Sequence, residues 1–459
     1  MILAPRIVAQ GEDGIPTPQR YLAIATMAMA VFLSAVSASI INVALPVLGR
    51  ELQTTPSEAI WVVSAFQVAM AACLLPFAAL GEIYGYRRVY LTGLVAFTLA
   101  SLGAAQAGSL ASLTAWRVLQ GLGSAGILGV NIAILRFVYP RRLLGQGVGI
   151  NGFIASVSAT VGPPLGSALL ALGGWHWLFL VNVPIGLVAL VLALLSIPET
   201  PRAHRKFDPA EAALSALTIG SFLSTANALA QGHPAWLVAA QAVLCLAAGT
   251  LLVLRETGRA APMLPVDLFR IPLFRLSVLV SISSFTAQML ALVALPFFLE
   301  RHAAGGAAMI GLLMAPWPAA SMASAVAAGW LADRISTGLL GAIGLLLFAA
   351  GLAGLGLLPD QAAAWDVGWR MMLCGLGFGC FQSPNNRVLI STAPPGRSGA
   401  ASGMLGTARM LGQSLGAALA ALLLASLGDA GGMAALLGGA TIALLAAAVS
   451  MLRVAVKSS

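Results

Sequence analysis

Charge is scarce in this sequence: Asp, Glu, Lys and Arg together make up 8% of its 459 residues. A soluble domain carries about 25% charged residues to cover its surface, so a water-soluble fold is excluded. Cysteine is scarce too. Cys73, Cys245, Cys374 and Cys380 all lie inside apolar runs without metal-ligand spacing, which reads as small packed side chains and excludes a disulfide framework or metal centre. The four histidines, His176, His204, His233 and His302, fall in loops or at the ends of apolar runs. No Ser/His/Asp arrangement and no phosphate-binding glycine loop is present, which excludes an enzyme and an ATP-driven pump. Residues 1–20 contain Glu12, Asp13 and prolines but no separate apolar stretch, so no cleaved signal peptide is expected.

What is abundant is hydrophobicity: 59% of residues are hydrophobic, the mean hydropathy is +0.94, and 50 glycines are spread along the chain. The sequence is that of an all-α polytopic membrane protein. A bilayer-spanning helix takes about 20 apolar residues, and cutting at polar, Pro-rich and Arg-rich punctuation predicts fourteen spans: 22–46, 57–79, 89–107, 110–134, 143–171, 177–197, 210–230, 235–255, 274–298, 307–331, 338–358, 368–391, 400–426 and 431–453.

The net charge of +9 falls in short loops and does not indicate nucleic acid. With the N-terminus cytoplasmic, the inner loops hold Arg87, Arg88, Arg136, Arg141, Arg142, Arg397 and others, the tails add Arg6, Arg20, Arg453 and Lys457, and the outer loops hold only Arg50, Arg301 and Arg370. Both termini are therefore expected on the cytoplasmic side. Gly81-Glu82 with Arg87-Arg88, and Gly329 with Asp333-Arg334, place glycine, an acid and arginine at the inner ends of spans 2 and 10. This weak repeat predicts a 1–21 tail, a 22–197 six-helix bundle, a 198–273 segment holding an inserted helix pair and basic linkers, a 274–453 six-helix bundle and a 454–459 tail.

Several segments carry a family signature: Asn42-Val-Ala-Leu-Pro46, Glu82 to Arg88, Arg117-Val-Leu-Gln120-Gly-Leu-Gly123, Gly162-Pro163-Pro164-Leu-Gly166 and Trp175 to Gly186. Together they resemble the major facilitator superfamily, in particular its fourteen-spanner drug:proton antiporter branch of EmrB/QacA type. Leu264 to Phe269, Gln382-Ser-Pro-Asn-Asn386 and Gly399-Ala-Ala-Ser-Gly403 are most similar to a YebQ-like subgroup. The resemblance implies a major facilitator fold with alternating access in the cell inner (plasma) membrane. It also implies multidrug-type efflux of small amphipathic compounds, linked to protons. Expected partners are the lipid bilayer and a small-molecule substrate, in a monomer, with no cofactor beyond a proton gradient.

Polar residues inside spans must face protein or water. Arg117 lies on the order of 12 Å into span 4, with Gln120 on its face; it is either a cavity-lining cation or a structural arginine satisfied by backbone carbonyls. Gln382, Asn385 and Asn386 in span 12, and Arg409 and Gln413 in span 13, either line the cavity or bond the two helices together. Ser37, Asn42, Gln67, Asn151, Gln288 and Trp317 complete the expected cavity. Glu82 with Arg87 or Arg88, and Asp333 with Arg334, are expected to form gating contacts at helix ends. Ser158, Gly162, Pro163 and Gly166 form a packing strip with a proline bend.

None of the fifteen acids falls near the centre of a span. The resemblance places an aspartate where this chain has Ser37. A cavity with Arg117 and Arg409 and no central acid is expected to be net positive and to suit neutral, zwitterionic or anionic ligands. Proton coupling then runs through Glu58 or Glu82 or is absent, the latter making the chain an uncoupled uniporter or importer of a metabolite. A non-transporting membrane sensor or assembly protein is the alternative of another class.

Overall fold

The computed structural model describes residues 14–54, 56–203, 206–257, 262, 264–302, 312–332, 334–359, 362–394 and 397–457. Its long helices, numbered here in chain order, are α1 Thr17–Ile40, α2 Pro56–Tyr84, α3 Tyr86–Ala105, α4 Leu110–Val138, α5 Leu144–Gly173, α6 Asn182–Ser196 and α7 Pro209–Ala230. They continue with α8 Ala235–Glu256, α9 Pro272–His302, α10 Pro316–Leu331, α11 Thr337–Gly356, α12 Ala364–Thr392, α13 Ser398–Leu427 and α14 Gly431–Lys457. Twelve helical segments among the described residues are long and apolar enough to cross a membrane. The other two long helices, α5 and α12, have 30 and 29 residues. α12 carries Asp366, Arg370, Gln382, Asn385, Asn386 and Arg387, which lower its hydropathy.

The first span differs from its expected course. The helix stops at Ile40, Ile41–Ala44 is a 3-10 turn, and a short helix Leu45–Glu51 follows. Pro46 stands in the first turn of the short helix, where its missing N–H leaves no intrahelical bond unmade. Arg453, expected in the C-terminal tail, lies within α14 and is 2% exposed.

The lipid boundary is written in side chains. Leu246 and Leu254 on α8 are 71% and 69% exposed, a state that water penalises and hydrocarbon does not. The exposed tryptophans Trp61, Trp116, Trp177, Trp236, Trp365 and Trp369 lie in loops or near helix ends on the face away from Glu82 and Arg87, as an interfacial belt would. The face that carries Glu82, Arg87 and Arg397 is called the basic face below.

An internal repeat shows in how helices touch. A Cβ on Gly121 of α4 would meet the Phe66 carbonyl at 2.5 Å and Ala69 at 3.0 Å on α2; a Cβ on Gly375 of α12 would meet the Trp317 carbonyl and Ala320 on α10. Gly123 lies against the Phe97 amide of α3, and Gly377 against the Phe348 amide of α11. Helices α2 and α3 thus recur as α10 and α11 in a register of 251 residues, and α4 recurs as α12 in one of 254. The first of these registers carries Glu82 onto Asp333, which lies outside the described residues.

Helices α7 and α8 stand apart from this repeat. α7 seats on α2 and α13, with Ile219 and Leu223 in one apolar cluster with Ala71, Leu75, Ala400, Ala401 and Met404. α8 packs chiefly on α7. Its buried residues are Ala248, Leu252 and Glu256.

Candidate functional site

Two seams join the repeats at the basic face, both made of glycines. On α13, Gly399, Gly403 and Gly406 lie so close to α2 that an added Cβ would come within 2.7–2.9 Å of Ala78 or Leu74 atoms. On α5, Gly149 faces the Ala325 carbonyl of α10 and Gly152 faces Gln382 of α12. In the 254-residue register Gly149 and Gly152 are the counterparts of Gly403 and Gly406.

A polar latch closes the basic end of the α2/α13 seam. Glu82, 2% exposed, accepts from the backbone amide of Ala400 at 2.7 Å and from Arg397 Nη1 at 3.4 Å. Its carboxylate thereby meets both a guanidinium and the positive end of a 30-residue helix. Arg397 also grips Asp267 with two bonds of 2.9 and 2.8 Å and donates to the Pro262 carbonyl. Gly399 N–H donates to Tyr86 Oη at 2.8 Å, and Arg136 of α4 donates to Ser398 Oγ at 2.9 Å and the Ala393 carbonyl at 3.0 Å.

The expected partners of Glu82 are placed elsewhere. Arg87 reaches the Leu194 carbonyl and Glu199, and Arg88 is exposed. Arg334 is exposed and stacks on Trp330. It lines, with Arg387, Ser336 and Thr337, a surface cavity of ≈ 740 Å³ at the basic end of α10 to α12. Sequence reasoning took Arg136 and Arg397 for topology signals; the signal for Arg397 was the small-residue run that follows it, fit for close packing at a helix start.

Arg117 is 0% exposed. It is fully buried between α1, α2 and α4, donating from Nε to the Val62 carbonyl at 3.0 Å and from Nη1 to Ser37 Oγ at 3.0 Å and Gln120 Oε1 at 2.6 Å. Gln120 in turn donates to Ser101 Oγ at 2.8 Å. Phe66 covers the guanidinium at 4.2 Å, and Phe179 stands 5.8 Å away. In this conformation aromatic rings cover Arg117, and Gln120 and Ser37 are buried with it; the guanidinium Nη2 is buried with no hydrogen-bond partner.

Asn385 is likewise fully buried, donating to Ser281 Oγ at 2.7 Å and accepting from Arg453, which also bonds Ser277 and Ser450. Asn386 is 9% exposed, and Trp317 packs edge-on against Phe348 in the second apolar core. Ser158 donates to the Ile154 carbonyl of its own helix, while Gly162 and Gly166 pack on Ser39 and Ile40 of α1. The side chains of Asn42 and Pro163 lie outside the described residues.

The remaining expected residues are less deeply buried. Gln67 is exposed, although it continues the α2 face of Ala71, Leu74 and Ala78 that packs on α13. The two helices therefore part between Leu74 and Gln67. Arg409 and Gln413, half-buried, continue the α13 row begun by Leu405, which packs on the first repeat's core. Asn151, accepting from Asn131 at 2.9 Å, and Gln382 are half-buried on α5 and α12, and Gln288 is half-buried on α9.

Repeated bundles of membrane-length helices, joined by close glycine seams and a charged latch at one face, define a membrane transporter. The Major Facilitator Superfamily profile matches residues 27–417, and the chain belongs to that family. It is 48% identical to the "Uncharacterized transporter YebQ" of Escherichia coli (strain K12), over 96% of this chain and 97% of that protein. It is 26% identical to the riboflavin transporter RibZ of Clostridioides difficile (strain 630), over 87% of each chain. It is 29% identical to the tetracenomycin C resistance and export protein of Streptomyces glaucescens, over 91% of this chain and 78% of that one.

Proposed function

We propose that this chain exports small amphipathic compounds across the cell inner membrane as a secondary transporter working by alternating access. In this reading all fourteen long helices cross the bilayer, as bundles over 22–197 and 274–453 with α7 and α8 inserted between them, and both termini are cytoplasmic. The basic face is then the cytoplasmic one, and the conformation described is closed on that side. The observation that carries the reading is the pairing of Glu82 with Arg397 and the α13 N-terminus, directly over seams that part toward Gln67.

The export direction is supported by the printed name of the Streptomyces relative. The test is hypersensitivity of a deletion strain to a panel of amphipathic drugs, with rescue by the wild-type chain and none by Glu82→Arg. Unchanged sensitivity to every compound would remove efflux from consideration. A second reading, uncoupled movement of a neutral or anionic metabolite, is favoured by Ser37, which offers no proton-carrying group on α1. Substrate-driven proton release from reconstituted vesicles, lost in Glu58→Gln or Glu82→Gln, rules out the uncoupled version.

A further inference from the structure

The ≈ 740 Å³ cavity at the basic face lies within the second repeat and shares no lining residue with the Glu82 latch. Its polar lining is Arg334, Ser336, Thr337, Arg387 and Ser391, and none of the described residues that line it is acidic, Asp333 lying outside them. Ser336 caps α11 and Thr337 begins it, so the positive end of a 20-residue helix opens on the same space. A third cation stands behind the wall. Arg453, 2% exposed, gives its hydrogen bonds to Ser277, Asn385 and Ser450, all neutral. Each of these stands about one turn from a lining residue, Leu273 on α9, Val388 on α12 and Val454 on α14 respectively.

The first repeat shows that the fold needs none of these charges. In the repeat registers Thr337, Arg387 and Ser391 correspond to Tyr86, Ala133 and Phe137, which pack in one apolar cluster with Ile15 and Ile197. Ile15 precedes α1 and Ile197 follows α6, so the chain itself fills the equivalent space. In the second repeat the segment before α9 is drawn to α13 instead, where Leu268 joins Ala400 and Asp267 holds Arg397. The cavity therefore stays open.

We propose that this cavity binds the phosphate of an anionic phospholipid from the leaflet at the basic face. A guanidinium pairs with phosphate through two parallel N–H bonds, and the hydroxyls of Ser336 and Thr337 are donors for its remaining oxygens. Leu273, Val388 and Val454 add an apolar wall from three helices, which suits the glycerol and first methylenes of a lipid better than a free hydrated anion. Trp330, 48% exposed, has Arg334 stacked on it at 4.0 Å and sets the mouth at headgroup level, where tryptophan concentrates. Basic pockets between spans are where anionic headgroups seat. The inference goes beyond the transport reading and requires only that the basic face meets lipid.

The test uses the full chain purified in neutral detergent. Phosphatidylglycerol and phosphatidylcholine of the same acyl chains are added in turn, and native mass spectrometry reads their binding. Phosphatidylglycerol should bind at least about tenfold more tightly, since two arginines face a headgroup that lacks the compensating choline cation. Arg334→Gln and Arg387→Gln should each weaken it by about fivefold, the worth of one cation near an anionic headgroup, and leave phosphatidylcholine binding unchanged. Arg88→Gln, which removes an exposed arginine of the first repeat on the same face, should change neither. Ser391→Asp, which brings an acid to the cavity from an exposed position, should act like the arginine variants and serves if Arg387→Gln does not fold. Inorganic phosphate at the concentration of the lipid should not displace it; displacement would assign the cavity to a soluble anion and overturn the lipid. Equal binding of the two lipids, or a loss in Arg88→Gln as large as in Arg334→Gln, also overturns the inference.

Discussion

At the scale of single residues, Arg117 is the most informative case, because the second repeat shows what the fold itself requires there. In the repeat register, Arg117, Gln120 and Ser101 correspond to Met371, Cys374 and Leu352, all buried in the second apolar core. The architecture is therefore satisfied by an apolar cluster, and the polar network of the first repeat is an addition to it. Arg117→Met, which copies the second repeat at this one position, leaves the arginine's acceptors unpaired but fills the volume, and is expected to lower the melting temperature less than Arg117→Ala does. Arg117→Ala leaves Ser37, Gln120 and the Val62 carbonyl unpaired around a cavity and should cost about 3 kcal/mol or more. Thermal melts of the two purified variants check the pair, and a Met variant less stable than the Ala variant would contradict it. The depth of Arg117 and the face it shares with Gln120 were legible in the sequence. Its seclusion was not, because the covering rings of Phe66 and Phe179 come from other parts of the chain.

At the scale of elements, the helices follow directly from apolar runs bounded by proline, glycine and arginine, and most boundaries fall within a few residues of expectation. The break after Ile40 was missed because the run stays apolar through it, and only the missing amide of Pro46 records it. Contacts between helices were harder to foresee, since a glycine facing a neighbour's backbone looks in sequence like a glycine facing lipid. Gly123→Ala and Gly377→Ala should each cost about 1–3 kcal/mol by overpacking against the Phe97 and Phe348 backbones. Gly438→Ala, whose Cβ would find only Leu290 at 3.8 Å, should be neutral or mildly stabilising in the same melts. Asp208 caps α7 by accepting from the amides of Ala210 at 3.0 Å and Glu211 at 3.3 Å. Partial burial works to raise its pKa, but these amides and Arg255 outweigh it and hold the carboxyl below its ordinary value. The cap's contribution is thus complete above the ordinary carboxylate range and fades as pH falls through the lowered pKa. Asp208→Ala should cost about 1 kcal/mol at neutral pH, with the difference from wild type narrowing in acid.

At the scale of the whole molecule, the closed basic face depends on few polar contacts, so its equilibrium should respond to single changes. Ser402 is 1% exposed, one turn deeper than Ser398 and behind the latch. With the four native cysteines replaced by serine, a Ser402→Cys reporter should react with a thiol reagent at least about fivefold faster when Glu82→Gln is added, and Asp267→Asn should act in the same direction. Equal labelling rates would show that the glycine seams, and not the ion pairs, keep this face shut. The repeat of glycine, acid and arginine at Glu82 and Asp333 was readable from spacing alone. That the partner of Glu82 is Arg397 was not, because 315 residues separate them and only the seam brings them together.

The seat of α7 makes the two seams unequal toward the bilayer. Ile219 and Leu223 fill the outer groove between α2 and α13 near the basic face. Nearer the other face, only ≈ 20 Å³ is left among Trp61, Ser64, Asn227 and Gln241, room for about one water molecule. Acyl chains therefore have no way in along that flank. Among the described residues nothing comparable covers the groove between α5 and α10. The lipid-facing outline is therefore one-sided in a fold that is otherwise nearly two-fold symmetric, with a third helix laid over one seam and, among the described residues, none over the other.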